Sequence, residues 1–404
     1  MKTRLTDLAI FGGPPAFAEP LHVGRPALGD RRALLARLEA VLDRGWLTND
    51  GPCVRELEQR LAARLGVRHC VAICNGTTAL QIAARACDLA GEVIVPAFTF
   101  IATAHALTWL GLTPVFADVD PRTGTLDPAA VEALITPYTT GIVGVHLWGR
   151  ACDVERLAAL ARRHRLALLF DAAHAFGCSH RGRAIGGFGD AEVFSFHATK
   201  LFHTLEGGAI TTNDDALAAR ARLLRNFGFA GYDRVVSLGI NGKLHEVAAA
   251  VGLALLERFD DLVAVNRRNY HRYRAALADV PGLTLLAYDE QERSTYPYIV
   301  VRVDAAAAGV GRDTLLQILH AEGVLARRYF FPGCHRMAPY AARPPRRPLP
   351  VTERLAAEVL VLPTGPAIDP AAIDTIAALL RLAVAHGPQL ARRLGAAATA
   401  AAVR

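Results

Sequence analysis

Lys200 is one of only three lysines, with Lys2 and Lys243, in a chain that carries 42 arginines. Arginine stays charged, whereas an amine can lose its proton and attack a carbonyl, so a lysine kept in such a chain suggests a task for the amine. It lies in FSFHATKLFHTLEGGAI (194–210), just after an apolar run that ends near Ser195. A lysine screened from water beside a cationic group or ring has its pKa lowered and becomes a nucleophile. The competing reading is an exposed loop lysine. In LALLFDAAHAFG, Asp171 directly follows another apolar run, with His174 three residues on. That carboxylate could be a helix cap, or a buried partner for a cationic ring nitrogen. In CNGTTAL, Asn75-Gly76-Thr77-Thr78 stands where a strand gives way to a helix. Glycine lets backbone N–H groups close on an anion, hydroxyls add donors, and the helix dipole favours negative charge, which suits one phosphate. An ordinary Asn/Gly turn is the alternative, and the absence of a following GK[ST] excludes a P-loop.

A phosphate cradle, a carboxylate for a pyridinium nitrogen and a Schiff-base amine are together the equipment for pyridoxal 5'-phosphate, whose ring serves as an electron sink. VPAFTFIAT adds Phe98 and Phe100 after a further strand, and one of them would face a bound ring.

The elements that would position these residues are legible as alternation. Uniformly apolar runs at 70–74, 92–96, 114–119, 141–147, 166–170, 191–196 and 207–212 are separated mostly by helical patterns. Such runs are covered on both faces, and the alternation predicts an α/β fold with a mainly parallel sheet sandwiched by helices. Ligands in such sheets sit beyond the carboxyl ends of the strands. DRRALLARLEAVLDRG predicts a helix capped by Asp30 and stopped by Gly45, and VRELEQRLAARLG predicts a second. After helical stretches around 244–278, runs at 296–303 and 324–330 with helices at 312–323, 352–360 and 370–385 predict a smaller C-terminal α/β domain. The reading divides the chain into an N-terminal arm (1–29), a large domain (30–270), a small domain (271–390) and a low-complexity tail (391–404).

The chain resembles the DegT/DnrJ/EryC1/StrS sugar aminotransferases, within the fold-type I pyridoxal-phosphate enzymes. The likeness covers nearly the whole chain, through GWLTNDGP, NGTTAL, VPAFTFIATAHAL, PVFADVD, VHLWGR, FDAAHAFG, FSFHATK, RNFGFAG, NGKLHEVAAAVGL and LPTG. It implies that Lys200 bonds covalently to the cofactor and then carries protons, and that Asp171 pairs with the pyridine nitrogen. His174 would lie near the ring hydroxyl and Phe100 would stack on the ring. Gly76, Thr77 and Ser195 would hold the phosphate, with Asn241 reaching it from the neighbouring subunit of a homodimer. Lys243 and Arg328 would meet substrate. GVHLWGR, RNFGFAGYD and RRYFFPGCHRM look most like enzymes that aminate C4 of a nucleotide-linked 4-keto-6-deoxy hexose with glutamate, for amino-sugar biosynthesis. Related dehydratases replace the lysine by histidine, so Lys200 favours amino transfer. A 3-keto sugar, a cyclitol ketone or a non-catalytic regulator are the alternatives.

The remaining composition is that of an ordinary globular protein, with 52% hydrophobic and 21% charged residues among 404 and a net charge of +7. The arginines are scattered among acidic residues, which argues against nucleic acid. RPPRRP (343–348) could touch a diphosphate or be a solvated loop. Seven irregularly spaced cysteines, no CxxC, no signal-like start and no membrane-length apolar run point to a reduced, cytoplasmic protein away from membranes. The histidines at 197, 203 and 335 keep no spacing of metal ligands, so no metal is expected.

Overall fold

In a computed structural model of the chain, residues 2–390 and 392–394 are described; the tail expected at 391–404 otherwise lies outside the described residues. Helix α1 (Arg31–Arg44) starts where the Asp30 carboxylate accepts from the backbone N–H groups of Arg32 and Ala33, and it stops at Gly45, whose φ of 64° needs no side chain. Helix α2 (Pro52–Leu65) opens on Pro52, whose missing N–H costs nothing there. The buried carboxylate of Glu246 receives the next two free donors, the N–H groups of Cys53 and Val54.

Seven strands form the main sheet: β1 (His69–Ile73), β2 (Glu92–Pro96), β3 (Thr113–Ala117), β4 (Thr139–Val145), β5 (Ala167–Asp171), β6 (Ala191–Ser195) and β7 (Gly208–Thr212). Their order is β1-β7-β6-β5-β4-β2-β3, with β7 alone antiparallel to its neighbours. The register decides the site. Gly208 pairs with Ile73 on one side and Ser195 on the other, and Asp171 pairs with Val193. The ends of β1, β6 and β5 therefore lie along one edge of the sheet. Because side chains alternate, Asp171 and Ser195 share a face.

That face is covered by α3 (Gly76–Ala86) and α4 (Ala102–Thr108), which bury Leu80, Ile82 and Leu107 with Val93, Val143, Val193 and Ile210. The opposite face buries Phe170, Phe194 and Leu168 against α1, α2 and α5 (Glu246–Leu256). Helix α5 is apolar nearly all round because α1 and α2 enclose it. A separate core gathers around the antiparallel strands β8 (Leu283–Leu285), β9 (Ile299–Val303) and β10 (Val359–Leu362). Helix α6 (Phe259–Leu277) joins the two: Phe259 packs in the first core, and Tyr270, Tyr273 and Leu277 in the second. Leu5 and Leu8 of the arm are buried in this second core.

Two readings of local structure are corrected. The helix expected at 352–360 spans Pro350–Glu358, and Val359 begins β10. Of the run at 324–330 only Val324–Leu325 is a strand, paired in parallel with Leu21–His22; beyond it Arg327 touches Val361 through a single bridge and the chain turns. Among the described residues no helix is long and apolar enough to cross a membrane, and no group of His, Cys, Asp and Glu is placed to hold a metal ion.

Candidate active site

Lys200 lies in the turn after β6, its backbone N–H donating to the carbonyl of His197 at 2.8 Å. Its side chain is part-buried, and Nζ reaches the hydroxyl of Tyr298 at 3.2 Å. Burial pushes the amine down from 10.5 to about 8, against the opposing pull of Asp171. An amine in that range gives up its proton near neutral pH, which an arginine cannot do.

Asp171 closes β5 and is 6% exposed. Its Oδ2 accepts from Thr103 Oγ1 at 2.8 Å and its Oδ1 from the Ala173 N–H at 3.1 Å. Burial nevertheless raises its pKa, because these two donors do not replace a cation. No ion pair forms at Asp171 among the described residues. Carboxylate and amine thus both pull away from their charged forms. A ring carrying a protonated nitrogen at Asp171 would supply what that carboxylate lacks.

His174, three residues beyond Asp171, is packed parallel to Phe330 at 6.0 Å and edge-on to Tyr298 at 4.9 Å. Its Nδ1 accepts from the Trp148 N–H at 3.3 Å, and burial holds its pKa well below 6.5. The ring is therefore neutral, with its proton on Nε2, where it can serve as a donor. Of the two phenylalanines after β2, Phe98 is fully buried against Trp148 and Phe330, while Phe100 is 55% exposed with its ring 6.3 Å from Phe330. Burial of Phe98 leaves Phe100 as the one free to cover a ligand.

The cradle is built by close approach. Asn75 caps α3, its side chain accepting from the Thr78 N–H, which leaves the Gly76 and Thr77 N–H groups at the open end. A Cβ on Gly76 would lie 2.9 Å from Ser195 Cβ and 3.3 Å from Ser195 Oγ. Only glycine permits the helix end to come this near the serine. Two backbone donors and a hydroxyl around a helix N-terminus fit a phosphate. The residues present thus fit pyridoxal phosphate at its phosphate end and at its ring nitrogen, with an amine that can lose its proton on the same sheet edge.

Other expected residues lie elsewhere. The guanidinium of Arg328 pairs with Asp313 at 3.1 Å and lies over Phe331 at 4.2 Å. Arg327, not singled out in the sequence, lies over Tyr329 instead. Lys243 is bridged through its backbone to Ile73, with its ammonium 4.6 Å from the Phe227 ring centroid. Asn241 is exposed on the stretch that passes its own cradle, where the Gly242 carbonyl accepts from the Cys74 N–H. Arg346 of RPPRRP pairs with Glu92 at the amino end of β2, the sheet edge away from Lys200, so this arginine has a structural partner. Thr103, Tyr298, Trp148 and Phe330 were not foreseen. Thr103 and Trp148 each follow a main-sheet strand, ending at Pro96 and Val145, and could have been found there, whereas Tyr298 and Phe330 come from distant segments.

Comparison with known proteins agrees with this geometry. The DegT/DnrJ/EryC1/StrS aminotransferase family model matches residues 30–381. The chain is 39% identical over 349 residues to GDP-perosamine synthase of Caulobacter vibrioides, covering 84% of this chain and 92% of that protein. It is 36% identical over 314 residues to dTDP-4-amino-4,6-dideoxy-D-glucose transaminase of Shigella dysenteriae, covering 78% and 85%. The crystal structure of DesI with its TDP-sugar product superposes with a TM-score of 0.93 at 52% identity, covering 96% of this chain and 99% of that one. A lysine, a carboxylate and a glycine-lined helix end on one sheet edge, within a match of this extent, have one reading: the chain belongs to the DegT/DnrJ/EryC1/StrS aminotransferase family.

Proposed function

We propose that this aminotransferase moves an amino group from L-glutamate to C4 of a nucleotide-linked 4-keto-6-deoxy hexose. The observation that carries the reading is the amine of Lys200, depressed by burial and set on the same sheet edge as the uncompensated carboxylate of Asp171. The substrate class rests on likeness to the 4-amino-4,6-dideoxyglucose transaminase, to GDP-perosamine synthase and to DesI.

Pyridoxal phosphate, the cofactor of this family, supplies an electron sink for charge that develops on the carbon being deprotonated. The chain's residues do the rest. The Gly76 and Thr77 N–H groups with Ser195 would hold the phosphate, and Asp171, steadied by Thr103, would keep the ring nitrogen protonated. His174 would offer its Nε2 proton as a donor to the cofactor, and Phe100 would cover it. Lys200 would be the residue that holds the cofactor covalently at rest and, when free, would carry a proton at Nζ; positioned acid–base transfer of this kind is worth roughly 10²- to 10⁴-fold. Exposed Phe227, Tyr232 and Leu238 beside Asn241 suit contact with a second copy, whose cradle Asn241 would complete. Tyr232 is fully exposed and Leu238 is 89% exposed in the single chain. The direct test mixes purified enzyme, glutamate and dTDP- or GDP-linked 4-keto-6-deoxy hexose and follows 2-oxoglutarate together with the aminated sugar. Product with a 3-keto sugar but none with either 4-keto sugar overturns the substrate reading.

A further inference from the structure

Tyr298 begins the approach to β9 in the small-core half of the chain, yet its hydroxyl ends beside the amine from the main sheet. Lys200 Nζ is 3.2 Å from the Tyr298 oxygen and 5.8 Å from the centroid of its ring. No other hydrogen bond is made by either atom among the described residues. The phenol is held from three directions. Its backbone carbonyl accepts from Tyr288 Oη at 2.9 Å, its ring meets His174 edge-on at 4.9 Å, and Tyr329 lies 6.2 Å away on another side. A side chain fixed this firmly does not follow the lysine as its long chain swings. The amine comes to the phenol.

We propose that Tyr298 is the docking partner of the Lys200 amine whenever the lysine is released from the cofactor. The inference rests on Lys200 being the cofactor-linked lysine and adds the group that holds it between bond-breaking and bond-forming. A phenol suits both protonation states of the amine: its oxygen accepts from the ammonium, and its O–H donates to the neutral amine. Burial raises the phenol's own pKa, so it stays protonated and adds no charge. Hydrogen bonds to a charged donor are the stronger kind, so the ammonium loses more than the neutral amine when the phenol oxygen is removed. The titratable groups facing the amine are Asp171 from β5, His174 from the following turn, and Tyr298 and Tyr329 from the small-core half.

The test uses the holoenzyme treated with excess glutamate, which leaves the lysine unattached, and a small acylating reagent. With only three lysines in the chain, peptide mass spectrometry reads modification of Lys200 directly. Tyr298→Phe should move the pH profile of Lys200 acylation down by about half to one pH unit, so that Lys200 reacts about three- to tenfold faster at pH 7 than in the wild type. Tyr329→Phe, which removes a hydroxyl that faces the amine without bonding to it, should move the profile less than Tyr298→Phe does. Coincident profiles for wild type and Tyr298→Phe, with Lys200 protected before glutamate and exposed after it, overturn the docking role alone. Equal labelling of Lys200 before and after glutamate overturns the parent reading, and the docking role with it.

Discussion

Replacing Lys200 by methionine should make the cofactor-stripped protein more stable at pH 7, and the gain should fade as the pH rises. Methionine keeps an unbranched chain of similar reach and removes the charge. Burial pushes the Lys200 amine from 10.5 to about 8, so at pH 7 the folded chain holds an ammonium where it is poorly solvated. A tenfold bias in protonation is worth about 1.4 kcal/mol, which caps the penalty at ~3 kcal/mol. Lys200 is only part-buried, and screening by solvent brings the expected value to about 2 kcal/mol. The folded-state pKa lies below the unfolded one, so between pH 8 and 10.5 the unfolded chain binds a proton that the folded chain has lost. Wild-type stability therefore climbs through that window, while below pH 8 the penalty is full. Urea unfolding of both stripped proteins reads the difference. Lys200→Met should lead by about 2 kcal/mol at pH 7 and by about a quarter of that at pH 10. Any packing difference between the two side chains is independent of pH, so the comparison isolates the charge. An advantage that is equal at both pH values, or larger at pH 10, refutes the claim that the amine is held out of water.

Asp171→Asn should still bind cofactor but slow the half-reaction with glutamate by about 10²- to 10³-fold, in line with losing one partner of a buried charge pair; stopped-flow absorbance reads it, and an unchanged rate removes Asp171 from its role. Gly76→Val places a side chain where a Cβ already lies 2.9 Å from Ser195 Cβ. Cofactor affinity should fall at least about tenfold by equilibrium dialysis while urea stability of the stripped protein changes by less than about 2 kcal/mol. Arg328→Ala should leave kcat/KM within about threefold, because its guanidinium is engaged by Asp313 and loses only an exposed pair. Mixing inactive Lys200→Ala with impaired Asn241→Ala subunits should restore part of the activity, since a hybrid dimer holds one site with both residues intact; no recovery after subunit exchange argues against a site completed by a second copy.

Much of the fold can be read from the chain because its strands are short apolar runs bounded by turn residues. Glu92–Pro96 begins and ends where the pattern places it, and Asp30 and Gly45 bracket α1. The misreadings fall where one pattern serves two structures. VLVL at 359–362 suits the end of a helix as well as a buried strand, and pairing with Ile299–Arg302 decides it. The site divides in the same way. Gly76, Asp171, Ser195 and Lys200 are visible because each follows a strand end, where an α/β sheet collects its chemistry. Tyr298 and Phe330 are invisible to that rule, since they arrive through folding of the second core against the first. Arg327 and Arg328 are adjacent in the sequence, and only packing reveals that Arg328 is the one paired with Asp313.

Borohydride treatment of the resting enzyme, followed by proteolysis and mass spectrometry, tests the central claim most directly. The reduced cofactor should be found on the peptide carrying Lys200, and prior incubation with excess glutamate should prevent its attachment. A cofactor mass on Lys2 or Lys243, or on no lysine at all, would contradict the account.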